Sequence, residues 1–286
     1  MSRDGAIETW SKLVGSESDI PAHIRNNILE VFSKFPYCVF TPSSRGSYGR
    51  SPASFLCLGE GKIVIIKAID NGRAPIVLSL DAIDAIESGK SLLLAWIAFH
   101  HSGIQETLWY NTVSSDFYNP FIEAYRALRE KSTAFRTSGP SELLEPMRLL
   151  DYKYYTFPLA VLGDRRLSAQ FYHPNTPVEP RFLFLRQINS YFLIYADGLL
   201  YIFSEDAMMR SPRTASYSMV IRYIRLDRET GWVEEKGTDA HSWYILSSCN
   251  NEIFRMPVAR DYNAAFLEFA KQCAIKIDFG LKNEET

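Results

Sequence analysis

The amino-acid sequence predicts a β-rich α+β protein made of two related halves, and three observations carry that expectation. The chain repeats itself with a period near 140 residues, the size of one small domain and too long for a solenoid unit. Each half reads as short apolar strands in series that end in one amphipathic helix. Aromatic residues make up 14% of the chain, a bias that suits half-buried sheet faces.

The repeat is visible residue by residue. Phe55 to Ile66, with Glu60-Gly61 at its centre, returns as Phe192 to Phe203 around Asp197-Gly198. Leu108 to Asp116 returns as Ile253 to Asp261, and Phe121-Ile122-Glu123 aligns on Phe266-Leu267-Glu268 without a gap. A chain of 286 residues with 47% apolar and 22% charged residues has the balance of an ordinary globular protein.

In chain order, residues 1–19 are polar apart from Trp10 and Leu13 and read as a leader or short helix. Asp19 and Pro21 mark a helix start, Ile24, Ile28, Leu29, Val31, Phe32 and Phe35 give its apolar stripe, and Pro36 ends it. Tyr37–Phe40 is a strand, and 41–52 is a loop rich in Ser, Gly and Arg. The Glu60-Gly61 hairpin follows, where Gly supplies the positive φ of a tight turn. Further turns are expected at Asp70-Asn71-Gly72 and at Glu87-Ser88-Gly89-Lys90, with Leu92–Phe99 as a buried strand and Thr107–Val113 as the last one. Asp116 is read as the cap of a helix whose stripe is Phe117, Phe121, Ile122, Tyr125 and Leu128.

Thr133–Pro140 has a linker composition and Glu142–Leu150 reads as helix. In the second half Arg166–Tyr172 is a strand, His173–Pro180 a Pro-rich loop, and Asp197-Gly198 a hairpin turn. Strands at 219–226, 232–235, 242–249 and 252–258 follow, then a helix after Asp261 and a loose charged tail from Lys276.

The Glu60-Gly61 and Asp197-Gly198 hairpins, the late strands carrying Trp109 and Phe254, and the Asp-headed helices carrying Phe121 and Phe266 resemble a tandem bacterial pleckstrin-homology-like (PH-like) domain protein of an uncharacterised family. The resemblance covers roughly 37–131 and 165–275; the helices at 20–35 and 142–150 lie outside it. It implies two PH-like domains, each a bent antiparallel sheet or half-open barrel closed by a C-terminal helix. The expected boundaries are 20–131 for the first domain, 132–164 for the linker and interdomain segment, and 165–275 for the second. Most bacterial relatives of this kind have no assigned activity, and the eukaryotic branch binds phosphoinositides, peptides or proteins.

Charge and motif content narrow the function. The formal net charge is −2, with 14 basic and 14 acidic residues in 1–139, so neither nucleic acid nor an anionic membrane surface is the favoured partner. No apolar leader with a cleavage site is visible, the longest apolar run is Leu92–Phe99, and the localisation expected is cytoplasmic. Cys38, Cys57, Cys249 and Cys273 have no metal-ligand spacing and read as reduced thiols buried as small apolar groups; Cys38 and Cys57 could face each other on neighbouring strands, though nothing in the sequence requires it. His100-His101 would point to opposite faces of a strand, Gly89-Lys90-Ser91 lacks the earlier glycine of a phosphate loop because position 84 is Asp84, and Ser114-Ser115-Asp116 reads as a helix start. No metal and no cofactor are expected.

Two constellations remain. In the loop 43–51, Arg45, Arg50, Ser47 and Tyr48 combine guanidinium forks with hydroxyls and a Gly-freed backbone, the chemistry of an anion cup. Tyr152, Tyr154, Tyr155 and Phe157 form an aromatic cluster, read as interdomain glue with a partner patch as the alternative. The function expected is a non-catalytic interaction or scaffold module for a protein or peptide partner. The alternatives are a binder of small anionic ligands or lipid headgroups through loop 43–51, and an enzyme of unrecognised type.

Overall fold

The computed structural model describes residues 10–20, 25–46, 49–67, 74–128, 140–181, 184–206, 208–210, 218–226, 230–248 and 251–278. The chain divides into two compact units, Met1–Leu128 and Arg129–Thr286. Both are β-rich with helices, the sheets are largely antiparallel, and none closes into a barrel among the described residues.

The first unit contains β1 (Lys12–Leu13), α1 (Arg25–Phe32), β2 (Tyr37–Thr41), β3 (Ser44–Gly46), β4 (Gly49–Ser51), β5 (Ser54–Gly59), β6 (Lys62–Lys67), β7 (Ile76–Ser79), β8 (Ala85–Ser91), β9 (Leu94–His101), β10 (Ile104–Asn111) and α2 (Asn119–Ala127). One sheet runs β1-β2-β5-β6-β7 and a meander runs β8-β9-β10. Strands β2, β5 and β6 of the first sheet are buried on both faces, which is why they read as continuous apolar runs rather than as alternation. On one face Tyr37 meets Phe121 edge-on at 5.6 Å and Thr41 bonds the Tyr118 hydroxyl, so α2 and the turn before it cover that side. On the other, Cys38, Phe40, Phe55, Cys57, Val64 and Ile66 pack with Val14, Ile20 and Ile28 from the N-terminal segment. The leader is thus part of the core: Lys12 and Leu13 pair with Phe40 and Val39 as a short strand.

The second unit opens with α3 (Pro140–Leu150) and α4 (Lys153–Leu162), followed by β11 (Leu167–His173), β12 (Thr176–Arg181), β13 (Phe184–Ile188), β14 (Tyr191–Ala196), β15 (Leu199–Ser204), β16 (Met209–Arg210), β17 (Ser218–Arg225), β18 (Gly231–Thr238), β19 (His241–Ser248), β20 (Asn251–Ala259), α5 (Asn263–Gln272) and β21 (Lys276–Asp278). Its sheets run β11-β14-β15-β17, β12-β13-β16 and β20-β19-β18-β21. Phe266 of α5 is fully buried and touches Phe171 on β11, Trp232 on β18 and Tyr244 on β19, so one ring joins two sheets. Each unit repeats the same succession: four antiparallel strands, a three-stranded meander, then a helix.

Both hairpin turns form as the sequence demands. Glu60-Gly61 and Asp197-Gly198 each hold positive φ at both positions, the two-residue geometry that matches strand twist. Four expectations are corrected. Glu87-Ser88-Gly89-Lys90 is strand within β8, and the turn falls on Leu92-Leu93 instead, with Leu92 at φ 51°. Gly89 sits in mid-strand because its cross-strand partner Trp96 fills the space a side chain there would need. Asp116 lies inside a 3₁₀ turn (Thr112–Phe117) capped by the Asn111 side chain, and α2 starts later with Pro120 in its first turn. The Pro-rich stretch after His173 is β12, an edge strand, where a missing N–H costs least. Finally, the tail from Lys276 is strand, paired in parallel with β18.

Among the described residues no helix is long and apolar enough to cross a membrane. The turn expected at Asp70-Asn71-Gly72 lies outside the described residues.

Candidate functional site

Among the described residues, the most exposed large apolar side chains of the second unit lie at the corner between α3 and α4. Helix α3 turns Leu144 and Met147, three residues apart, into the core. Leu149 and Leu150 fall off that face and stand 93% and 69% exposed, and Tyr152 just beyond is 64% exposed. Three large apolar side chains within four residues in water are unusual, because each exposed ring or isobutyl group forgoes roughly 1.5–3 kcal/mol of burial.

The corner is held rigidly from behind. The Asp151 amide donates to the Met147 carbonyl at 2.8 Å and ends α3. Its carboxylate accepts from the Lys153 amide at 3.2 Å, at the start of α4, and from the Tyr172 hydroxyl at 3.2 Å, which ties the corner to β11. Gln170 adds a bond from β11 to the Leu143 carbonyl at 3.1 Å. Burial first, and then the Asp151 charge, push the Tyr172 hydroxyl well above its ordinary range, so it stays a donor.

The aromatic cluster divides along this helix. Tyr154 is fully buried, donates its hydroxyl to the Ser190 carbonyl, and packs 6.1 Å from Phe192 and 5.7 Å from Tyr172. Lys153 lies over the Tyr154 ring at 4.7 Å and pairs with Glu205 at 3.6 Å. Tyr155 and Phe157 are half-buried, and the Tyr155 ring lies 6.1 Å from that of Tyr152. Of the four aromatics, Tyr152 is the one offered outward, and Leu149 and Leu150 join it. A helical wheel drawn from Leu144 and Met147 would have found those two leucines on the wrong face.

In the loop 43–51 the backbone forms the small hairpin β3–β4, with Arg45 and Arg50 as direct cross-strand partners. Ser47 and Tyr48 lie outside the described residues. The Pro-rich stretch of the second unit likewise forms a hairpin, β12–β13.

A cavity of about 430 Å³ opens beside the β18–β19 hairpin, lined by Glu234, Lys236, Asp239, His241, Arg260 and Asn263 among others. The hairpin carries a bulge at Gly237, and the His241 ring lies against it: a Cβ at Gly237 would sit 2.9 Å from His241 Nε2. Thr238 Oγ and His241 Nδ1 are 2.9 Å apart, and Tyr244 bonds Asn263 across the same wall. Both charge signs line this cavity, an arrangement that does not single out one ligand charge. Among the described residues no group of three or more His, Cys, Asp or Glu side chains is placed to hold a metal ion.

The remaining buried histidine is structural. His173 accepts the Ala259 amide at Nε2 (3.1 Å), so its proton sits on Nδ1, which donates to the Pro174 carbonyl at 2.8 Å. The ring stacks on Tyr191 at 4.9 Å, and burial lowers its pKa to about 4.

Compared with known proteins, the chain matches no family model and no curated protein.

Proposed function

We propose that the protein is a non-catalytic interaction module that binds a protein partner through the α3–α4 corner. The carrying observation is the contiguous exposure of Leu149, Leu150 and Tyr152 on a helix junction braced by Asp151 and Tyr154. Tyrosine is enriched at interface cores, the flanking leucines add apolar area to bury, and a preorganised support lowers the ordering cost of binding. The two units are read here as tandem PH-like modules; the succession of four strands, three strands and a helix in each supports that reading, and a flat partner surface suits it better than a catalytic cleft.

The test is a titration with a purified partner obtained by affinity capture. Leu149→Glu/Leu150→Glu is expected to weaken the complex by about a hundredfold or more, since anchor residues are each worth about 2 kcal/mol or more. Equal affinity for wild type and double variant would overturn the assignment of this surface. Sedimentation of the wild type over a concentration range separates a different partner from a second copy of the chain.

A second reading, small-anion binding, draws on the register that sets Arg45 directly opposite Arg50 in β3–β4. Titration with inorganic phosphate and with anionic vesicles at low and high salt tests it. Arg45→Ala/Arg50→Ala is expected to abolish a salt-sensitive signal. A wild type that binds neither probe removes this reading and leaves the protein-partner reading in place.

A further inference from the structure

We propose that Cys38 and Cys57 are a redox-active dithiol, converted by a hydroperoxide into a disulfide that bridges β2 and β5. The two residues are direct cross-strand partners, both are buried, and their sulfurs are 2.8 Å apart, closer than two unbonded sulfurs rest comfortably. The backbone geometry also suits a bridge. The Cys38 carbonyl accepts from the Val14 amide at 2.9 Å, so the hydrogen-bonding groups of Cys38 face β1 and not β5. Cys38 and Cys57 are therefore a non-hydrogen-bonded pair, the closer kind, with Cα atoms about 4.5 Å apart. That spacing falls within the roughly 4.4–6.8 Å that a disulfide spans.

The contact couples the two thiols: it lowers the Cys38 pKa against the opposing effect of burial and raises that of Cys57. One of the two reacts first, as the thiolate. Its sulfur takes one peroxide oxygen, the O–O bond breaks, and hydroxide leaves and picks up a proton as water. The partner sulfur then displaces the oxygen of the resulting sulfenic acid, which departs as a second water. Two thiols and one hydrogen peroxide give one disulfide and two waters, with two electrons passing to the peroxide.

The bridge would close the stretch 38–57, which contains the β3–β4 hairpin. It would form under the N-terminal cover of Val14, Ile20 and Ile28, so only a small oxidant has access.

The experiment uses the full chain. Reduced protein is treated with hydrogen peroxide, quenched, denatured in an alkylating reagent, and weighed and mapped by mass spectrometry. Two of its four thiols are expected to escape alkylation, with a peptide linked between Cys38 and Cys57 that dithiothreitol releases. Cys273→Ser is expected to leave the link unchanged. Four alkylated cysteines, a Cys38 that stops at the sulfinic acid, or a link from either residue to another cysteine would overturn the proposal.

Discussion

The Trp96 indole occupies the space that a side chain at Gly89 would take: a Cβ there would lie 2.1 Å from the ring. The two residues are cross-strand partners in β8 and β9, and Trp96 Nε1 donates to Glu87 at 2.7 Å, which fixes the indole in place. Glycine here serves a partner across the sheet and no turn of its own.

Gly89→Val is therefore expected to overpack this site and cost about 1–3 kcal/mol. Chemical denaturation reads it directly. A midpoint equal to that of the wild type would mean the indole is free to swing away.

Protonation of His173 is expected to destabilise the second unit. Its folded pKa of about 4 lies below the ordinary 6.5, so the unfolded chain binds the proton first as pH falls. Stability is full above pH 6.5, declines between 6.5 and about 4, and the loss is complete below that. The whole effect is about 3 kcal/mol. His173→Phe is expected to be less stable at pH 7 but to lack this part of the slope; an unchanged slope would place the acid sensitivity elsewhere.

Phe266→Ala removes a ring that touches Phe171, Trp232 and Tyr244, and is expected to cost on the order of 3–5 kcal/mol. Phe121→Ala, equally buried against Tyr37, is expected to cost a similar amount in the first unit. A near-native unfolding midpoint in either variant would show that the helix face is held by other contacts.

Tyr152 and Tyr154 are expected to respond in opposite ways. Tyr152→Ala should leave stability within about 0.5 kcal/mol and weaken partner binding, because its ring is in water. Tyr154→Phe should lose roughly 1 kcal/mol by orphaning the Ser190 carbonyl and leave binding unchanged. Paired denaturation and titration curves check both; a binding loss in Tyr154→Phe would mean that the corner moves when its support is loosened.

What was legible in the sequence is what local chemistry decides. Glu60-Gly61 and Asp197-Gly198 announce themselves because two consecutive residues at positive φ need such a pair. The β-rich class followed from runs such as Ile63–Ile66, whose double-sided burial suppresses alternation. Gly89 misled because its reason, Trp96, becomes a neighbour only after β8 and β9 have paired. Likewise, Pro177 and Pro180 suggested a loop until β12 took the edge of its sheet. The aromatic run 152–157 was visible as a group, but its division into Tyr154 inside and Tyr152 outside depends on helix phase and on Ser190, 36 positions downstream of Tyr154. Leu149 and Leu150 went unremarked, since apolar residues in a helix read as core until their angle from Leu144 is drawn.

Strand β21 has a practical consequence for handling the molecule. Lys276–Asp278 pairs in parallel with Gly231–Val233 and takes up the outer row of β18 amides and carbonyls. A version shortened to end at Ile275 would uncover that row, and an uncovered strand is a template for the same strand of a neighbouring molecule. Pairing of an uncovered β18 with the β18 of a second molecule is two-fold symmetric and closes on itself, so a doubled mass is expected for the shortened version, and light scattering of the two versions at equal concentration would show it.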